Sequence, residues 1–503
     1  MSLLGVDVGT SALKAVAFDA DSGRPIARAR VGYAMRTPAP GWAELDPELV
    51  WDAFTEALGA IAAVPEARRD PPRALACSVS GDEIVLLDRQ GRPLGPVILS
   101  GDTRGAEEAA EIGERLGAQM LAARTGLPLY PTFPLIRLLW YRHHAPELLD
   151  RIALALGWGE YLMARLGLAP IADDTAAARW LLFDLRRRAW MPEVLAALDL
   201  PTDILPASGP CGTPVGEIPA ASARALGLDA PLLVVAGGFD QVCAAAGAGV
   251  LQPGEASVGT GTWETLTAVV DAPVPAGTLE MGYQFGVHVP PDSYAALGVN
   301  SGGGSVLQWL SALLGGGTGD GDDPTAGGIG HLVASAPERA NGLLVLPHFQ
   351  GSNSPWMDPR SRGAIVGLTW ASSRAELVRA ILEGITFELR ANLEGLRRYG
   401  TRIARVRNTG GGARSPAWAQ LKADVLGIPV ETVNVEETGC LSAALLAGVG
   451  LGVYRSLAEP LERFVQVERR YAPRPDRVAE YDALYATYRQ LYPALAPIAH
   501  ALQ

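Results

Sequence analysis

Two short segments half a chain apart share one pattern, and that repeat constrains the fold more than any other feature. Val8-Gly9-Thr10-Ser11 and Val258-Gly259-Thr260-Gly261 each sit between two strand candidates, 3–8 and 12–19 in the first half, the run from Ala256 and 265–270 in the second. Two Gly-Thr hairpins so placed point to a duplicated domain. The length of 503 residues agrees, since a domain takes about 100–200 residues. Gly-Thr pairs recur by chance in a chain with 58 Gly, so other motifs must carry the argument.

Hydrophobic residues are 48% of the chain and charged ones 19%, a globular balance. The net charge of −12 argues against a nucleic-acid partner or an anionic membrane. It does not exclude phosphate, whose sites are built locally. No apolar run approaches the about 20 residues that span a bilayer. Cys77, Cys211, Cys243 and Cys440 form no CxxC pair, which argues against a zinc or redox motif and for a reducing cytoplasm. The first acidic residue, Asp7, comes too early for a signal peptide. Of 42 basic residues only Lys14 and Lys422 are lysine. Neither follows a glycine, so there is no Walker A loop, and ATP would need another device.

The spacing predicts further strands at 26–33, 74–79, 84–88 and 97–99, and a helix over 47–63 opened by Asp46-Pro47. Residues 107–200 read as largely helical. A second block opens at Pro231 with a strand at 232–236, a turn at Gly237-Gly238-Phe239-Asp240-Gln241 and a helix of small residues over 242–249. Helices are expected at 373–399, 416–426 and 476–503, and strands at 405–408 and 429–433. The low-complexity stretch 315–330 reads as a surface loop.

Five groups of residues could carry chemistry. Asp7 with Gly9, Thr10, Ser11 and Lys14 forms a hairpin whose backbone N–H groups and hydroxyls suit phosphate, with an Asp suited to Mg²⁺ and a lysine adding charge; an ordinary Gly-Thr turn fits as well. Gly259-Thr260-Gly261-Thr262 offers the same two readings. Gly410-Gly411-Gly412 before a helix lets a flat ring lie on backbone, or merely connects strand to helix. Asp240 follows a strand and two glycines, where it can accept a proton from a hydroxyl or cap the next helix. Asp82, Glu83, Asp102 and Arg104 stand at strand ends, suited to polyhydroxyl recognition or to solvated loops.

Together, and in order over nearly the whole chain, these residues resemble the FGGY carbohydrate kinases of the actin, hexokinase and heat-shock chaperone superfamily. Asp7 through Lys14 is similar to the first phosphate motif. Gly41-Trp42 through Asp46-Pro47 resembles the segment before the first long helix. Pro134 through Trp140 is similar to the first family signature, with Arg137 where lysine is common. Gly237 through Gln241 resembles the segment of the catalytic aspartate, and Gly259 through Thr262 the second phosphate motif. Gly363 through Gly384 is similar to the second signature, and Gly410 through Asp424 to the adenosine motif.

The resemblance implies an α/β chain of two actin-like, ribonuclease H-like domains, 1–246 and 247–503, around a deep cleft. It implies ATP and Mg²⁺ as cofactors, Asp240 as general base and Asp7 with Asp240 at the metal. Thr10, Ser11, Lys14, Gly259, Thr260, Gly261, Thr262, Gly302, Gly303, Gly411, Gly412 and Ser415 would bind ATP. Asp82, Glu83, Asp102, Arg104, Asp240 and Gln241 would bind a sugar or polyol. A homodimer is an expectation from resemblance alone. Xylulokinases usually carry Gln-Met-His where this chain has Asp82-Glu83-Ile84, and glycerol kinases carry Arg-Glu there. Trp158 and Trp263 are the aromatic candidates for the sugar side. The competing reading is a nucleotide-switched binding protein of actin or chaperone type, which has no need of a polyol pocket.

Overall fold

The computed structural model describes residues 1–227, 231–274, 281–313 and 329–502. Strand β1 (Ser2–Val8) turns at Gly9-Thr10-Ser11 into β2 (Ala12–Asp19), and β3 (Pro25–Gly32) completes an antiparallel meander. Helix α1 (Pro47–Ala63) starts where local chemistry dictates. Pro47 fills the first turn, where its missing N–H costs nothing, and the Asp46 side chain accepts from Glu48 N. Its apolar stripe, Val50, Phe54, Ala57, Leu58 and Ile61, enters the core beneath the meander. Strand β4 (Pro72–Val79) then pairs parallel to β1.

The middle region holds α2 (Pro134–His144), α3 (Trp158–Arg165) and α4 (Asp174–Ala177). It is less helical than expected. Short strands at Leu154–Leu156, Ile171–Asp173, Phe183–Asp184 and Ala189–Trp190 interrupt it, two of them paired with Val85–Leu87 and Ala207–Gly209 far away in sequence. Runs this short show no period. Strand β5 (Pro214–Glu217) borders β6 (Leu233–Phe239), which lies parallel to β4 and runs directly into α5 (Asp240–Gly247). The turn expected at Gly237-Gly238 is therefore strand. A methyl group at Gly237 would collide with the Cys77 carbonyl, so this glycine serves close strand approach.

The second half repeats the plan. Strands β7 (Glu255–Thr260), β8 (Glu264–Val270), β9 (Gln284–Val287) and β10 (Tyr294–Asn300) are followed by α6 (Gly304–Leu313) and the long α7 (Arg374–Arg398). Then come β11 (Arg405–Gly410), α8 (Pro416–Leu426), β12 (Val430–Val433), α9 (Thr438–Gly450) and β13 (Val467–Tyr471). The tail is two helices, α10 (Pro475–Tyr488) and α11 (Leu491–Ala501), rather than one. The break at Arg489-Gln490 lets Tyr492 and His500 both reach Asp358. Most of the low-complexity stretch, 314–328, lies outside the described residues, and Gly330 is in a short helix, Ile329–Ala334.

The sheet orders are β5-β6-β4-β1-β2-β3 and β9-β10-β8-β7-β11-β12-β13. Read from β3 and from β10, the next five pairings are antiparallel, antiparallel, parallel, parallel, antiparallel in both halves. The Gly-Thr echo thus marks the same hairpin in two copies of one topology. The halves interlock through α9, whose Leu441, Ala444 and Leu445 share a core with Leu3, Val16, Ala76 and Val235 of the first sheet. Contact there is backbone on backbone: a methyl group at Gly5 would collide with the Cys440 carbonyl.

Candidate active site

In parallel strands the carboxyl ends form one edge, where ligands of open α/β sheets bind. The register places Asp7 and Gly238 on either side of Ser78, and Val8 and Phe239 on either side of Val79. The residues that follow, Gly9-Thr10-Ser11, Ser80-Gly81-Asp82-Glu83 and Asp240-Gln241, therefore leave the sheet side by side. On the second sheet Thr260 is level with Gly410. The two edges face each other, since a methyl group at Gly259 would lie 3.9 Å from Gln241 Oε1. Glu437, just before α9, bonds Lys14 at 2.8 Å.

The first edge is crowded with carboxylates. Asp240 is the first residue of α5 and does not cap it; Phe239 holds the cap position. Its Oδ1 is buried without a hydrogen-bond partner. Burial, then the charges of Asp7, Glu83 and Asp82, push its carboxyl up to about 8. Glu83 is buried, its Oε1 accepting from Ser100 N at 3.2 Å and its Oε2 unpartnered. Burial and Asp82 push it up to about 7. Asp7 is raised by burial, against the opposing hydrogen bond from Ser78 Oγ at 2.8 Å. Thr10 and Ser11 are exposed at the hairpin tip. Lys14 keeps its charge: burial opposes it, but the bond to Glu437 together with the charges of Glu437 and Asp7 raises the ammonium above its ordinary value.

The second edge is built differently. Lys422 on α8 is fully buried, 2.6 Å from Glu264, and donates to Thr260 Oγ1 at 2.8 Å and Asn408 Oδ1 at 3.1 Å. Thr260 Oγ1 in turn donates to Glu264 at 2.7 Å. The Thr260 hydroxyl is thus spent inside the protein and does not face a phosphate, contrary to expectation. The exposed groups of this loop are Gly261, Thr262 and Trp263. Gly304 N and Ser305 N bond Gly261 O and Thr262 O, stitching the loop to the start of α6. Gly302 and Gly303 are buried under it, where added methyl groups would lie 3.2 Å from Pro347 O and 2.7 Å from Trp263 C. Gly410 adopts φ 74° and begins the turn into α8. Gly412 lies over Thr260, its ideal methyl position 2.6 Å from Thr260 Cβ. Gly411 is exposed beside it, and Ser415 caps α8 through Trp418 N.

Two other expectations change. Asp102 and Arg104 form a closed internal pair. Arg104 donates to both Asp102 oxygens and to Glu44, and its guanidinium stacks over Trp42 at 3.8 Å. Burial would raise Asp102, but the bonds from Arg104 and Ala43 N outweigh it and hold the carboxyl low. Buried Arg137 bonds the carbonyls of this segment. The pair lines a wall of the region, with Nε, Nη1 and Nη2 of Arg104 each engaged by Asp102 or Glu44. Trp158 is core, packed on Tyr161, and Trp263 sits at the second hairpin. Sequence reasoning missed Ser78, Glu437 and Arg179, the last bonding both oxygens of Asp82 at 2.9 and 3.2 Å. Glu436-Glu437 before a run of small residues was a usable signal; Arg179 had none.

The N-terminal domain of the FGGY family of carbohydrate kinases matches residues 2–247, and its C-terminal domain matches residues 256–451. The chain belongs to this family. It is 33% identical to a glycerol kinase of Cereibacter sphaeroides, over 97% of each chain. A ligand-bound xylulose kinase from Lactobacillus acidophilus superposes with a TM-score of 0.89 at 26% identity, covering 100% of both chains. A gluconate kinase from the same organism gives 0.88 at 26% identity, again over 100% of both. The chain is a carbohydrate kinase with the two-domain α/β fold of these enzymes, and it phosphorylates a sugar or polyol with ATP. The matches give no support to a nucleotide-switched binding protein.

Proposed function

We propose that the kinase transfers the γ-phosphoryl group of ATP to a hydroxyl of a ketose such as xylulose, or of a related sugar or alditol, with Asp240 as general base. The supporting observation is the unpartnered, buried Asp240 Oδ1, within electrostatic reach of Asp7, Glu83 and Asp82 and next in sequence to Gln241, which faces Gly259. Once ionised, a carboxylate held there, short of hydrogen bonds, can take the proton of the attacking hydroxyl, and its raised value of about 8 makes it a stronger base. Glu83, Asp82 and Gln241 border the acceptor, and Thr10, Ser11, Gly261 and Thr262 border the phosphates. Gly411 and Gly412 present flat backbone to the adenosine.

Among the described residues no group of three or more His, Cys, Asp or Glu is arranged to hold a metal. That fits Mg²⁺, which binds through one or two carboxylates plus phosphates and water rather than an all-protein cage. Asp7, raised by burial, and Asp240, raised by burial and by the charge of Asp7, are the carboxylates that would hold it. When bound it neutralises phosphate charge, the main requirement of phosphoryl transfer. The domains are taken as 1–246 and 247–503. Four free cysteines, and no described helix long and apolar enough to cross a membrane, support a cytoplasmic setting.

The test is ATP turnover against a panel of ketoses, aldoses and alditols, with the phosphorylated product identified. ADP release that depends on one acceptor class supports the reading. Hydrolysis indifferent to every member would overturn it.

A further inference from the structure

Arg179 follows α4 and is 6% exposed at its side chain. Its Nε and Nη2 bind the two oxygens of Asp82, and its guanidinium lies between the rings of Phe133 and Phe239 at 5.2 and 4.7 Å. Phe239 immediately precedes Asp240. Gly81 makes this possible, because a methyl group there would lie 2.7 Å from Arg179 Cγ and 2.9 Å from Phe239. Nη1 makes no hydrogen bond to a described residue. The ion pair therefore packs against the residue that precedes Asp240, its guanidinium over two aromatic rings.

A guanidinium fork is the natural receptor for a carboxylate, which it binds with two parallel hydrogen bonds. Here the fork is already filled by Asp82. An acidic substrate would find its receptor occupied by the Asp82 carboxylate and would have to lie against it. Like charges brought together without water repel strongly. An uncharged polyol meets no such barrier, and Asp82, Glu83 and Nη1 can still exchange hydrogen bonds with its hydroxyls.

We propose that the Asp82–Arg179 pair is a charge filter in the acceptor pocket: it admits uncharged ketoses and alditols, rejects sugar acids, and would accept a substrate carboxylate once Asp82 is removed. This rests on the acceptor reading given above. Arg179 is a specificity residue in this account, and Asp82 sets its sign.

The experiment compares wild type, Asp82→Asn and Asp82→Asn/Arg179→Met. Each is assayed with ATP against neutral sugars and alditols and against aldonates of the same carbon number. For wild type, kcat/KM on aldonates is expected to lie at least about 100-fold below the best neutral acceptor, the scale of like-charge rejection. Asp82→Asn should narrow that gap by about tenfold or more through a lower KM for aldonates, and the double variant should lose the gain. A wild type that uses an aldonate as well as its best neutral acceptor overturns the filter, and that arm needs no variant to fold. So does an unchanged ratio in a folded Asp82→Asn. Absence of turnover with every member of both classes would instead bring down the acceptor reading, and the filter with it.

Discussion

The two sheet edges have the same topology and opposite chemistry. On the first, Asp7, Asp82, Glu83 and Asp240 converge, and two of them carry buried oxygens without partners. On the second, the buried Lys422 neutralises Glu264, although Glu264 Oε1 also lacks a partner, and the surface above it is glycine backbone. A duplicated fold thus yields one edge poised to gain from a cation or a proton and one edge that is a fixed cradle. The lysine usage follows this division. Lys422 is locked beneath the cradle, whereas Lys14 is partly exposed at the rim and bridges the two halves through Glu437.

The sharpest way to break the comparison is to unpair the cradle. Lys422→Met leaves Glu264 buried without its counter-charge, which should cost about 3–5 kcal/mol in urea unfolding. The Lys422→Met/Glu264→Leu pair should recover much of this. A Lys422→Met protein as stable as wild type would return Lys422 to incidental status. Next is Gly412→Ala, whose methyl group would meet Thr260. KM for ATP should rise about tenfold, roughly 1.4 kcal/mol of nucleotide binding, with the sugar KM unchanged. An equal loss for both substrates would deny the cradle its separate role.

The first edge predicts a pH effect of definite sign in the nucleotide- and metal-free protein. A carboxyl raised when folded binds more protons in the folded state, so stability falls as pH rises from the unfolded value, near 4, to the folded value, about 8 for Asp240. Asp240→Asn should therefore raise Tm at pH 8 by several degrees, about 1 °C per kcal/mol relieved in a chain of 503 residues, and give no gain at pH 4. A gain that does not depend on pH would contradict the crowding. The smallest effect is expected for Lys14→Ala. Its pair with Glu437 is partly exposed, worth up to about 1 kcal/mol, so KM for ATP should move by no more than about fivefold.

How much of this the sequence carried depended on how local the cause was. Helix α1 and the β1–β2 hairpin were readable because Asp46, Pro47, Gly9 and the alternating apolar residues act within a few positions. Helix α9 was missed because it is buried nearly all round and shows no polar face to set a period. The positions of Asp240, Glu83 and Gln241 at the facing edges follow their motifs. The closure of Asp102 onto Arg104 and the capture of Asp82 by Arg179 do not, because the latter partners are 97 residues apart. Thr260 was placed correctly on its loop but not in its bonding, since Lys422, which claims its hydroxyl, is 162 residues away.

The account's central claim is that Asp240 takes the acceptor's proton. The most direct test is turnover of Asp240→Asn with the best acceptor, alongside ATP binding by calorimetry. A fall in kcat of about two to four orders of magnitude with ATP binding largely kept is predicted, the usual scale of a general base. A variant that keeps near-normal kcat would contradict the assignment.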